Sequence, residues 1–169
     1  PSFTSGGVTC TGTPRTFTIT VNPTPTVNQP ANQVVCNRST TTAVAFSGAV
    51  TGTVYNWTNS NPAIGLAASG TGNIASFIAV NNGSTAVTAT ITVTPTFDNN
   101  SVQCTGSSTS FSITVNPAAQ VNQPASQTIC NSASTAAVNF TTSVSGGSTI
   151  YTWTNDTPAI GLAATGTGN

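Results

Sequence analysis

The chain has 169 residues and only four charged side chains, Arg15, Arg38, Asp98 and Asp156, with no Lys, Glu, His or Met. Charged residues make up 2% of it, against about 25% in ordinary domains. That balance leaves no basic patch for nucleic acid or anionic lipid and removes the His, Glu and Lys on which most acid–base and nucleophilic catalysis depends.

At 37% hydrophobic, with regular Val, Ile and Phe placement, the chain is not disordered by composition. Thr, Ser, Asn and Gly replace the usual charged surface, so hydration runs through hydroxyls and amides. No apolar run approaches the 18 or so residues that span a bilayer as a helix, so direct membrane insertion is not expected.

In chain order, TFTITV (16–21) alternates apolar and hydroxyl residues at the period of a half-buried strand. The joint VNPTPTVNQP (21–30) follows, with prolines that favour extended backbone and no glycine, and reads as a short, semi-rigid connection. Strands are then predicted at 33–36, 42–48, 53–59, 74–80, 86–97 and 109–115, with a further short one near 64–67. In AVTATITVTPTF (86–97) the threonines share one parity and Val87, Ala89, Ile91, Val93 and Phe97 the other. Tyr55 and Trp57 share the inward face of the third strand. The expected core is Val44, Phe46, Tyr55, Trp57, Leu66, Phe77, Val87, Ile91, Val93, Phe111, Ile113 and Val115. No stretch has helical periodicity. Short strands separated by Gly, Asn, Ser and Pro clusters imply an all-β fold, an antiparallel immunoglobulin-like sandwich with no helix beyond a single turn.

A second joint, VNPAAQVNQP (115–124), opens a repetition. PAIGLAASGTGN (62–73) returns as PAIGLAATGTGN (158–169), and VNQPANQVVCN (27–37) as VNQPASQTICN (121–131). Cys10 and Cys104 are 94 positions apart, as are Cys36 and Cys130. Trp57 and Trp153 are 96 apart, because the later copy carries two extra residues between Phe140 and Tyr151. Residues 1–23 therefore read as the C-terminal end of a preceding repeat, 24–117 as one complete repeat, and 118–169 as the N-terminal part of the next. Pro1 aligns with Pro95 and Asn169 with Asn73, so the array is expected to continue in both directions. Arrays of this kind serve reach and spacing more often than chemistry.

The four cysteines lack the CxxC spacing and the His or acidic partners of a zinc site, so disulfides in an oxidising, extracellular setting are the better reading. Cys36 with Cys104, inside the complete unit, is the favoured pair. It closes a loop of about 68 residues, worth roughly 4 kcal/mol in the chain-entropy model. Cys10 and Cys130 then have partners outside this stretch. Immunoglobulin strand order places Cys36 and Cys104 at opposite poles, against the roughly 7 Å Cα reach of a disulfide, so links between units and free thiols stay open as alternatives.

No catalytic residue is expected, because Asp98 and Asp156 occupy non-equivalent repeat positions. No metal or cofactor site is expected, since calcium wants several carboxylates. Lysine-dependent isopeptide cross-links are ruled out by the absence of Lys. Tyr55, Trp57, Tyr151 and Trp153 read as core aromatics, with a glycan-stacking platform as the alternative.

The combination of VCNRSTTTAVAFSG, YNWTNSNPAIGLAASGTGN, TITVTPTF and QCTG followed by FSITVNP resembles the PKD-like, immunoglobulin-like repeats of large secreted surface proteins of the Bacteroidetes, adhesin-like chains exported by type IX secretion. The likeness covers the full unit and both partial copies. WDFGDG, typical of PKD domains, does not occur; YNWTNSNP stands in its place. The resemblance implies a β-sandwich repeat at the bacterial cell surface, with a role in adhesion, gliding or filament architecture and no catalytic residues. The function expected is a semi-rigid spacer in a surface fibre or adhesin. Its partners would be neighbouring repeats of the same chain. The alternatives are a multi-chain filament or sheath, with identical chains as partners, and a carbohydrate-binding array, with surface glycans as partners.

Overall fold

A computed structural model describes residues 1–169. The chain is all-β, and its only helical features are single 3-10 turns at Pro62–Ile64 and Pro158–Ile160. Ten strands form: β1 (Ser2–Ser5), β2 (Val8–Thr11), β3 (Gln33–Cys36), β4 (Val54–Asn59), β5 (Ser69–Thr71), β6 (Val87–Asn99), β7 (Val102–Thr105), β8 (Thr109–Asn116), β9 (Thr152–Thr154) and β10 (Thr165–Thr167).

One six-stranded sheet dominates, in the order β3-β8-β6-β4-β5, with β7 also paired to β6. Its centre is the long threonine-alternating β6. β4 and β8 flank it antiparallel, in registers that set Trp57 opposite Val93 and Ile91 opposite Phe111. The period-2 pattern does what it predicts: Ala89, Ile91, Val93, Phe111, Ile113 and Val115 all face inward and are buried.

One pairing departs from the antiparallel expectation. β3 runs parallel to β8, Gln33 opposite Ile113 and Cys36 opposite Asn116. Parallel neighbours need a long crossover, and here most of the unit serves as that connection.

The opposite layer is formed by residues 38–46 against 73–80. It was expected as two regular strands, 42–48 and 74–80, but holds only isolated bridges, Thr40 to Ile78 and Val44 to Ile74. Side chains interrupt the ladder. The buried Thr41 hydroxyl accepts from Phe77 N–H at 3.0 Å, and Asn73 Oδ1 accepts from Phe46 N–H at 2.9 Å. Short polar side chains that bond the backbone in this way compete with strand pairing. The predicted strand near 64–67 is instead the end of the 3-10 turn at Pro62–Ile64 and the turn after it, closed by Gly65 at φ 97°. The strand pattern at 16–21 forms no strand.

The two layers close on one core. Val44, Phe46, Ile74 and Ala79 meet Trp57, Ile91, Val93, Phe111, Ile113 and Val115, with Ile64 and Leu66 packed between. Phe46 contacts Phe111 edge-on at 6.5 Å between ring centres and Tyr55 at 5.7 Å. Of the expected core, Tyr55, Phe77 and Val87 are half-buried and the rest buried. This two-layer arrangement is compatible with a β-sandwich.

Candidate functional site

The unit presents two poles and one broad sheet face. The lead-in segment reaches the first pole. Pro25 is fully buried there. Its carbonyl oxygen lies where a side chain on Gly106 would begin, 1.9 Å from an ideal Cβ, and the Thr26 carbonyl stands the same 1.9 Å from a Cβ on Gly48. From there the backbone climbs beside β8. Thr26 Oγ1 accepts from Ala49 N–H at 3.0 Å, Asn28 N–H donates to the Ser47 carbonyl at 2.8 Å, and Asn32 Oδ1 accepts from Ser112 N–H at 2.7 Å. Gln29 bridges Thr109 and the Ser110 carbonyl. The joint read as VNPTPTVNQP is thus mostly part of the domain body. Between Asn22 and the buried Pro25, only Pro23 and Thr24 stay exposed.

On its far side the first pole carries the β6–β7 hairpin, turned by Asn100 and Ser101 at φ 51° and 64°. Asp98 accepts from Ser101 N–H at 3.2 Å and so serves the turn. Asn99 Nδ2 donates to Asn22 Oδ1 at 2.7 Å, which ties the hairpin to the last residues of the preceding copy. The second pole holds Cys36, the end of β8 and a loop organised by the buried Asn81. That side chain donates to the Thr85 and Val115 carbonyls at 2.8 and 2.7 Å and accepts from Gly83 N–H at 2.9 Å. Ser84 O in the same loop receives Ser145 N–H of the following copy at 2.9 Å.

The expected Cys36–Cys104 bridge is not formed, and all four cysteines carry free thiols. The register gives the reason. Cys36 is level with Asn116, at the end of β8 opposite Val87, whereas Cys104 pairs with Phe97, ten residues further along β6. At about 3.3 Å per residue that is some 33 Å, far outside disulfide reach. Cys10 pairs with Phe3 in the equivalent hairpin of the first copy, and Cys130 is exposed in the third.

Trp57 is buried and Trp153 half-buried, each lying across a cross-strand glycine, Gly70 and Gly166. With its ring in the core, Trp57 offers no stacking face for a sugar. Its Nε1 is buried without a hydrogen-bond partner. Tyr55 and Tyr151 are half-buried and contact Phe46 and Phe140. A shallow groove beside Trp57 is lined by Asn56, Thr58, Ser69, Thr71, Thr92 and Thr94. The sheet's outer face continues this hydroxyl lining, with Thr88 and Thr114 bonded at 2.9 Å across β6 and β8.

No group of three or more His, Cys, Asp or Glu side chains is placed to hold a metal ion, and no helix is long and apolar enough to cross a membrane. Asp156 bonds its neighbour Thr157 at 3.1 Å. Arg38 and its counterpart Ser132 share a left-handed turn, at φ 65° and 66°. A turn that accepts either residue uses the backbone and not the guanidinium. No family model, curated protein or solved structure matches the chain.

Reading the sequence alone missed Gly48, Gly70, Gly106 and the pair Asn22–Asn99. For two of the glycines a signal was present: Gly70 and Gly166 sit at the same place in the repeated dodecamer, and Gly106 and Gly12 in the repeated CTG, whereas Gly48 is replaced by Thr142 in the later copy.

Proposed function

We propose that the chain is a run of immunoglobulin-like, PKD-like repeats whose role is structural, a semi-rigid spacer in an extracellular bacterial surface fibre or adhesin. The observation that carries this reading is the docked lead-in segment. Once Pro25 to Asn32 are fastened to the body of their own unit, successive units meet through very few free residues, and the orientation of one constrains the next. Part of the same fastening recurs in the third copy, where Asn122 N–H donates to the Thr141 carbonyl at 2.8 Å and Asn122 Nδ2 to Thr141 Oγ1 at 2.9 Å, as Asn28 does to Ser47 in the second.

The test is solution scattering or electron microscopy of a chain with several consecutive repeats. A rod that lengthens by about 35–45 Å per unit, as strands of seven to twelve residues plus loops require, supports the reading. Units packed side by side, or units reorienting freely, overturn it.

Lateral association into a multi-chain filament is a second reading, favoured by the uncharged hydroxyl face of β6 and β8. Such a face can meet its own copy without charge repulsion. Concentration-dependent bundling of the same rods distinguishes it from isolated threads.

A further inference from the structure

The cysteines stand at opposite poles of one unit, and two successive units bring opposite poles together. Asn22 and Asn116 are the same repeat position, each within an ITVNP segment. Asn22 is hydrogen-bonded to Asn99 on the β6–β7 hairpin of the unit after it. On that hairpin Asn99 pairs with Val102 and Phe97 with Cys104, so all four side chains share one face. That face is the one turned toward Asn22. Asn116, at the other end of the unit, is the parallel-ladder partner of Cys36. Partners in a ladder present their side chains on the same side of the sheet, and Cys36 is exposed there.

We propose that Cys36 forms a disulfide with the hairpin cysteine of the unit that follows it, the position Cys104 holds in its own unit, so that every joint carries one covalent staple. The Asn116 position is the hinge of the argument: it touches Cys36 through the backbone ladder and the next hairpin through its side chain. The inference rests on the reading of the chain as consecutive repeats. In the bond-forming step the two thiols lose two protons and two electrons to a protein or small-molecule disulfide, which is reduced to its dithiol, as thiol–disulfide exchange in an oxidising compartment requires. Each joint within residues 1–169 displays only one half of the pair, in keeping with four free thiols.

The experiment extends this chain past Asn169 with a second copy of residues 74–117, which gives the third repeat its own hairpin. The protein is made in an oxidising compartment, alkylated, digested without reduction and mapped. The expected result is a single linked peptide joining Cys36 to the added hairpin cysteine, with Cys10, Cys104 and Cys130 all alkylated. Links within one unit, Cys36 to Cys104 or Cys130 to the added cysteine, overturn the proposal, as does full alkylation of Cys36.

A companion variant separates this failure from failure of the repeat reading. In the 169-residue chain with its four cysteines replaced by Ser, Asn22→Cys with Asn99→Cys should cross-link on oxidation. If it does and the native staple is absent, the joint geometry stands and the staple falls. If neither forms, the end-to-end arrangement falls with it.

Discussion

The indole of Trp57 lies across Gly70, its cross-strand partner, so closely that a Cβ on that glycine would stand 2.2 Å from ring atom Cζ2. Trp153 and Gly166 repeat the relationship at 2.1 Å. Gly70→Ala should therefore displace the ring from the core and destabilise the complete unit by about 1–3 kcal/mol, the usual cost of overpacking. Gly166→Ala should cost less, because Trp153 is only half-buried and can yield. Thermal or urea unfolding of the two variants against the parent chain checks both the sign and the ranking.

Asn81 satisfies two carbonyls and one N–H at the second pole with a single side chain. Asn81→Ala should lower stability by about 2–4 kcal/mol, since buried acceptors left without partners cost on the order of 1–3 kcal/mol each. Asn82→Ala, its exposed neighbour, is the control and should change little.

The lead-in segment passes close against Gly48 and Gly106. Gly106→Ala should push against the Pro25 carbonyl and loosen residues 25–32 before it unfolds the sheet. Amide hydrogen exchange reads this directly. The N–H groups of Ala49 and Ser112, held by Thr26 and Asn32, should exchange faster in the variant, while those within β6 keep their protection. Uniform acceleration across both sets would show global destabilisation instead.

Salt and pH should have little effect. The only carboxylate side chains, Asp98 and Asp156, are exposed, and stability follows pH only where protons are bound differently by the folded and unfolded chain. The melting temperature should vary by no more than about 3 °C between pH 4 and 9 and between low and 1 M salt. A steep fall toward acid would show a carboxylate coupled to folding.

The strands with strict alternation, β4, β6 and β8, were legible because period 2 with threonine outward has one structural solution. The weaker layer was not. TTAVAF and IASFIAV carry apolar residues in nearly the right places, but the decisive atoms are the Thr41 hydroxyl and the Asn73 amide, whose choice of a backbone partner depends on what lies opposite. The cysteines show the same limit. Their repeat spacing was plain, but which pole each occupies follows from the parallel β3–β8 register, a long-range pairing with no local signature. Pro25 and Asn28 looked like linker because linker and docked strand share extended backbone; the difference lies in Gly48 and Gly106, residues distant in the chain.

The parallel register of β3 and β8 has a mechanical consequence. The chain comes into the unit at the pole where β3 and β8 begin and leaves at the pole where β8 ends. Tension along a row of such units pulls β3 back toward the first pole and β8 out through the second, so the two strands are loaded in shear. All the ladder bonds between Gln33–Cys36 and Ile113–Asn116 then bear load together, rather than opening one after another as in a peeled hairpin. A unit of this design resists stretching through its first and last strands, ahead of any contribution from the core.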